Sequence, residues 1–309
     1  MKKSSKWEPL IKDYENYLSL EKGLAKNSIE NYIRDIKKVG SYFSEQYPDL
    51  SPLNMNTEEL SQFLYDAVKK GYSERTQARF ISTIKSFCKF LVAENYRTEH
   101  PAELLEPPRI SKKFRDTLQI EEIQSMIKNI PVHTVEGKRD RVIVEILYGC
   151  GLRVSELINL NISDVHLEED FISVMGKGTK RRFVPINPRC KKLLEQYIKE
   201  IREELIPKKG NEHYLFLNKR GQKLSRVLIF TFIKKLGNHS GIRKNISPHT
   251  FRHSFATHLL NNGADVLFVQ KMLGHESPST TEIYAHTSLG HLRETLFKFH
   301  PLENNEQLN

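Results

Sequence analysis

One stretch of the chain, Ser247-Pro248-His249-Thr250-Phe251-Arg252-His253-Ser254-Phe255-Ala256-Thr257-His258-Leu259-Leu260, joins a helical apolar repeat to a run of basic and titratable side chains. Ser247 and Pro248 make a helix start, and Phe251, Phe255 and Leu259 recur at the spacing of one apolar face, so the pattern predicts a helix over residues 250–260. His249 then stands where the helix begins and Arg252 about a turn later, a pair that can address one anionic group from two sides. A guanidinium is a rigid, permanently charged fork suited to phosphate, while an imidazole gives or takes a proton near neutrality. His249 and His253 also have the spacing of metal ligands, but the glutamate of a His-Glu-x-x-His motif and an acidic third ligand are missing. A basic helix alone is more often a solvated face than a site, so the stretch needs partners elsewhere.

The rest of the C-terminal half supplies candidates. Gly149-Cys150-Gly151-Leu152-Arg153-Val154-Ser155-Glu156-Leu157 holds a second arginine. Its glycines interrupt a nearly all-apolar helix predicted over 138–149 and let a new helix begin near Val154, which fixes Arg153 at a helix terminus instead of on a loop. Glu156, one turn along, is the carboxylate that would orient this arginine; a surface ion pair is the alternative. Phe171-Ile172-Ser173-Val174-Met175 and Arg182-Phe183-Val184-Pro185-Ile186 flank Gly176-Lys177-Gly178-Thr179-Lys180-Arg181 and predict a hairpin with Lys177 on its tip. The Gly-x-x-x-x-Gly-Lys-Ser/Thr pattern of a nucleotide-phosphate loop is absent. Leu273-Gly274-His275 and Ile283-Tyr284-Ala285-His286 add a histidine and a tyrosine nine residues apart. Asp164, Glu168, Glu169 and Asp170 fall in a turn before a strand with no second acidic cluster to pair with, which disfavours a two-metal nuclease site.

Arg153, Lys177, His249, Arg252, His275 and Tyr284, in that order and each inside its own local motif, resemble the active-site series of the tyrosine recombinases. The chain as a whole resembles the Xer chromosome-dimer resolvases of that phage-integrase-like family, from the helical N-terminal region to the tail near His300-Pro301. The resemblance implies a two-domain fold: an all-α, SAM-like core-binding domain that forms the upper half of a C-shaped DNA clamp, and a mainly α catalytic domain with a small antiparallel β-sheet. It also implies a reaction. Cutting a phosphodiester without hydrolysis requires a nucleophile that conserves the bond energy, positive groups for the non-bridging oxygens and a proton donor for the departing 5′ oxygen. Tyr284 would be the nucleophile, Arg153 and Arg252 would flank the scissile phosphate, and His275 with His249 would complete the hydrogen-bonding shell. Lys177 would act as general acid and His249 as acid/base for the tyrosine. The guanidiniums would neutralise the charge that Mg²⁺ neutralises elsewhere, so neither metal nor cofactor is expected.

The expected partners follow from the same resemblance: double-stranded DNA carrying a dif-like site, a second Xer-type recombinase or further copies of this chain in a tetramer on two duplexes, and an FtsK-like translocase. Chromosome-dimer resolution through a Holliday junction is the leading function. An integrase or transposase of a mobile element with the same chemistry is the alternative, and a non-catalytic DNA-binding protein stands further off.

Composition agrees with a polyanion as partner. The formal net charge is +10, unevenly placed: residues 1–110 carry 17 Lys/Arg against 16 Asp/Glu, and residues 111–309 carry 31 against 22. At 309 residues the chain exceeds what one core needs. Cys88, Cys150 and Cys190 form neither a disulfide framework nor a C-x-x-C site, and no long apolar segment or leader follows Met1, so a cytoplasmic protein without a membrane partner is expected.

Four helices are predicted in the N-terminal half: two over residues 10–46 broken at Gly23, one over 57–70 and one over 73–91. Lys69, Lys70, Arg75, Arg79, Lys85 and Lys89 face a single acid, Glu74, over the span of the fourth, which suits a helix lying against a DNA backbone. Pro101, Pro107, Pro108, Lys112, Lys113 and Arg115 read as an extended basic linker. Domain limits of 1–106, 107–116 (linker) and 117–309 follow. Helices over 188–204 and 225–239 are read as packing elements. At the end of the chain Leu289, Leu292, Leu296 and Phe299 form an apolar stripe on a short helix; folding back on its own domain is one way to cover it, and the resemblance instead seats it in a neighbouring protomer.

Overall fold

The structure is a computed structural model, which describes residues 6–110, 116–176, 181–274 and 289–302. The chain divides into two units, Met1–Lys113 and Phe114–Asn309. Aromatic rings hold the first together. Trp7 stacks between Phe43 and Phe87, with centroids 5.5 and 5.9 Å away, and Tyr14 meets Phe87 edge-on at 5.2 Å. These rings come from α1 (Glu8–Leu20), α2 (Lys26–Gln46) and α4 (Glu74–Ala93) and from the residue that precedes α1; α3 (Thr57–Lys69) closes the unit through Leu60 and Phe63. Local chemistry sets the boundaries. Asn56 and Glu59 form a capping box at the start of α3, and the Ser73 hydroxyl caps α4. Asp35 is fully buried on α2 and accepts from Arg79 Nε at 2.5 Å and Nη2 at 3.0 Å. One of the six cations read from sequence as a DNA-facing row therefore also neutralises a core carboxylate.

The second unit is packed around α6 (Val135–Gly149), whose residues Val142–Gly149 are all buried. α5 (Ile120–Lys128), α8 (Pro188–Tyr197) and α10 (Pro248–Asn261) pack on it, and α8 continues into a π-helical turn, Ile198–Arg202. β1 (Val165–His166), β2 (Phe171–Met175) and β3 (Arg181–Pro185) form an antiparallel sheet in that order, in register from Phe171 opposite Pro185 to Met175 opposite Arg181. α9 (Arg226–His239) contributes Ile229, Ile233 and Leu236 to the core, and Leu215, Phe216 and Leu217 add an irregular buried run. Asp164 and Asp170 serve the fold, while Glu168 and Glu169 are exposed. Asp164 caps the backbone of Asn161 and accepts from Arg181, and Asp170 pairs with Lys191 at 2.7 Å.

α12 (Leu289–Phe299) lies on its own unit in the single chain, against α10, α11 (Val266–Leu273) and β3. Leu292 and Leu296 are buried there, Arg293 pairs with Asp170 at 2.5 Å, and Asn262 Nδ2 donates to the Phe299 carbonyl at 2.7 Å. His300 follows, fully buried against the rings of Tyr148 and Phe255. The groove between α10, α11 and β3 thus offers the stripe an apolar surface within the same chain.

Candidate active site

The site begins with the break after α6. Gly151 has φ of 59°, and a Cβ there would stand 2.5 Å from Phe255 Cδ1, so both backbone and packing demand glycine. The turn it makes ends α6 at Gly149 and starts α7 (Val154–Leu157) with Arg153 as the cap residue. Glu156 reaches back to this cap: its carboxylate accepts from Arg153 N and Arg153 Nη1, each at 2.8 Å. Arg153 is thereby held at a helix terminus, as its spacing predicts, while a third of its side chain stays open to solvent.

Glu156 is not a partner in a surface ion pair. Its side chain is buried and it serves three arginines. Arg182, on β3, docks bidentately, Nη1 to Oε1 at 2.6 Å and Nη2 to Oε2 at 2.9 Å. Arg252, on α10, places Nη1 3.9 Å from Oε2 while donating to the carbonyls of Gly151 at 2.7 Å and Leu273 at 2.5 Å. Burial works against the charge on Glu156, yet the Arg182 fork and the Arg153 contacts hold its carboxyl below the usual range. Burial, and then the charge of Arg153, pull the Arg252 guanidinium down to about 10, which leaves it cationic at neutral pH. Three guanidiniums around one carboxylate leave an excess of positive charge. Such a centre can hold a phosphate and stabilise the added charge of a pentacovalent intermediate.

Of the six residues read from sequence, the structure brings Arg153 and Arg252 together. His249 sits exposed in the first turn of α10, one turn before Arg252. α10 starts at Pro248, capped by Ser247, two residues earlier than its apolar repeat suggests. Lys177, His275 and Tyr284 lie outside the described residues. Among the described residues no group of His, Cys, Asp or Glu is arranged to hold a metal ion. Arg182 was not singled out from sequence. The signal was present in the period of two: Arg182 shares a strand face with buried Val184, so a charge stands where the alternation calls for an apolar residue.

The chain is similar to known proteins along most of its length. Residues 116–291 match the phage integrase family, and residues 11–95 match the N-terminal SAM-like domain of phage integrases. The chain is 42% identical over 295 residues to the tyrosine recombinase XerD of Staphylococcus aureus, covering 95% of this chain and 99% of that protein. It is 41% identical over 295 residues to XerD of Staphylococcus haemolyticus, with the same coverage. Among solved structures, the XerH site-specific recombinase bound to a palindromic difH substrate, in a post-cleavage complex, superposes with a TM-score of 0.68 at 26% identity, covering 92% of this chain and 83% of that one. The chain therefore belongs to the phage integrase family, within its Xer group of site-specific tyrosine recombinases, enzymes that cut and rejoin DNA strands.

Proposed function

We propose that the protein resolves chromosome dimers at a dif-like site, cutting and exchanging one pair of strands at a time through a Holliday junction. The observation that carries the chemical part of this reading is the arginine pair pinned on buried Glu156, with Arg153 open to solvent and Arg252 one turn from His249. In the proposed reaction the Tyr284 oxygen attacks the scissile phosphorus, the P–O5′ bond breaks, and a 3′-phosphotyrosyl link and a free 5′ hydroxyl remain. Arg153 and Arg252 hold the non-bridging oxygens, and their charge counts most in the pentacovalent state. His275 completes that shell, His249 takes the phenol proton, and Lys177 delivers a proton to the leaving 5′ oxygen. Attack of the partner strand's 5′ hydroxyl on the phosphotyrosine reverses the step and rejoins the strands. No metal or cofactor has a part in this scheme.

The difH complex of the XerH relative supports a dif-like substrate; the protein partner in this reading is a second Xer-type recombinase or another copy of this chain. A tetramer on two duplexes, an FtsK-like translocase as regulator and a cytoplasmic location complete the reading. No described helix is long and apolar enough to cross a membrane. Residues 1–106 would clamp the duplex, 107–116 would follow its backbone as a linker and 117–309 would carry catalysis. Exposed Arg75 and Lys89 on α4 provide the cations for the first task.

The deciding experiment uses supercoiled plasmids with and without two directly repeated dif-like sites. Conversion of the first into two smaller circles, with no relaxation of the second, is the expected result. Relaxation of both without product circles would make the protein a topoisomerase of the same chemistry.

A further inference from the structure

Three consecutive carbonyls close α11, and each receives a different arginine. Met272 O accepts from Arg182 Nε at 3.2 Å, Leu273 O from Arg252 Nη2 at 2.5 Å and Gly274 O from Arg153 Nη2 at 3.3 Å. The last carbonyls of a helix have no partner within it and sit at the negative end of its dipole, so cations are favoured there. The same three guanidiniums share Glu156. Arg182 ties these two anchors most fully, with all three of its nitrogens used: two on the carboxylate and one on Met272. Its side chain is mostly buried, and Gly274 is shaped to it: φ is 63°, and a Cβ at this position would lie 2.9 Å from Arg182 Cδ.

We propose that Arg182, outside the six-residue series, is a positioning residue of strand cleavage. It fixes Glu156 and the last turn of α11 as one rigid seat, and that seat sets the direction of the Arg153 and Arg252 forks. Arg153 keeps a third of its surface for a ligand and Arg252 sits beside it, whereas Arg182 is mostly buried, with three of its five N–H groups committed to Glu156 and Met272. Its effect on the phosphate therefore passes through the other two. Misplacement of a reacting group by about 1 Å costs on the order of 100-fold in rate, so loss of the seat should slow cleavage without loosening DNA. This inference rests on the reading in which Arg153 and Arg252 hold the scissile phosphate.

The test compares Arg182→Gln and Arg182→Lys in the full chain on nicked dif-like substrates. One substrate carries a normal scissile phosphate, and the other a methylphosphonate, in which a methyl group replaces one non-bridging oxygen and removes its charge. On the normal phosphate, Arg182→Gln should form the covalent adduct about 100-fold more slowly in a single turnover, with half-site affinity unchanged. Arg182→Lys, which keeps the charge but loses the fork, should fall between Gln and wild type. On the methylphosphonate the deficit should shrink to about 10-fold or less, because less charge then depends on the arginine pair. An equal deficit on both substrates, parallel loss of DNA affinity, or no deficit would overturn the proposal. Should Arg182→Gln not fold, as judged by thermal melting, the Lys variant carries the same comparison. Arg153→Lys and Arg252→Lys provide the separate control. If these are not relieved on the methylphosphonate, the reading of the arginine pair fails; if they are relieved and Arg182 is not, the positioning role fails.

Discussion

At the scale of residues, the site is an ion cluster arranged around a buried carboxylate. Arg153 and Arg252 keep their charge when replaced by lysine but lose the planar fork that matches phosphate oxygens. Either substitution should lower single-turnover cleavage by about 100-fold or more, with duplex affinity little changed, because the lost bonds matter most in the transition state. Gel-shift titration beside adduct kinetics checks this; equal losses in binding and rate would make the two arginines ordinary phosphate anchors. Glu156→Gln should act differently. It removes the carboxylate shared by three buried or half-buried guanidiniums, and breaking such a cluster costs about 3–5 kcal/mol, so thermal melting should show a clear loss of stability. An unchanged melting temperature would mean that the cluster contributes charge placement alone.

At the scale of elements, legibility followed the range of the forces. The Gly149-Cys150-Gly151 break announced the helix that holds Arg153, since glycine conformation and capping are local and can be read off neighbours. Hairpin strands were equally plain from their β-branched runs. Arg182 escaped because its role depends on which face of β3 meets α7 and α11, a tertiary fact that no local pattern states. The tail's covering surface was not legible for a related reason. An apolar stripe says that a helix must be covered, and nothing in the stripe says by what. In the single chain Leu296 is buried to 1% exposure on its own unit. Leu296→Ala should accordingly destabilise the free protein by about 2–5 kcal/mol, measured by denaturant melting. No change would show that α12 is undocked in solution.

His300 anchors the same element and makes its docking pH-dependent. Burial lowers its pKa to about 4, and the Leu302 N–H donates to Nδ1 at 3.3 Å, occupying the atom that a second proton would need. The unfolded chain binds that proton from the ordinary histidine value downward while the folded chain does not. The His300 contribution should thus be whole above pH 6.5 and decline as the pH falls toward 4, by up to about 1.4 kcal/mol per pH unit. Stability measured from pH 7 to pH 4 in the wild type and in His300→Phe, which cannot titrate, should show the steeper decline in the wild type. Equal slopes would remove His300 from the acid response.

At the scale of the whole molecule, each unit has its own core, one aromatic and one built on α6, and each matches its own family model. The excess of positive charge falls mainly after residue 110, and on α4 Arg79 also serves Asp35. Affinity of the full chain for its site should fall steeply with salt, and residues 117–309 alone should bind much more weakly, because phosphate contacts release counterions in proportion to their number. A fragment that bound as tightly as the whole chain would leave the first unit out of recognition.

In the proposed reaction this chain cuts DNA with a tyrosine, Tyr284. Incubating wild type and Tyr284→Phe with a nicked dif-like duplex, end-labelled so that the two strand ends are distinguished, measures it in one gel. The wild type should give a denaturant-stable adduct on the 3′ phosphate side only, and the Phe variant should bind the duplex with equal affinity and give none. An adduct from the Phe variant would assign the nucleophile elsewhere and contradict the account.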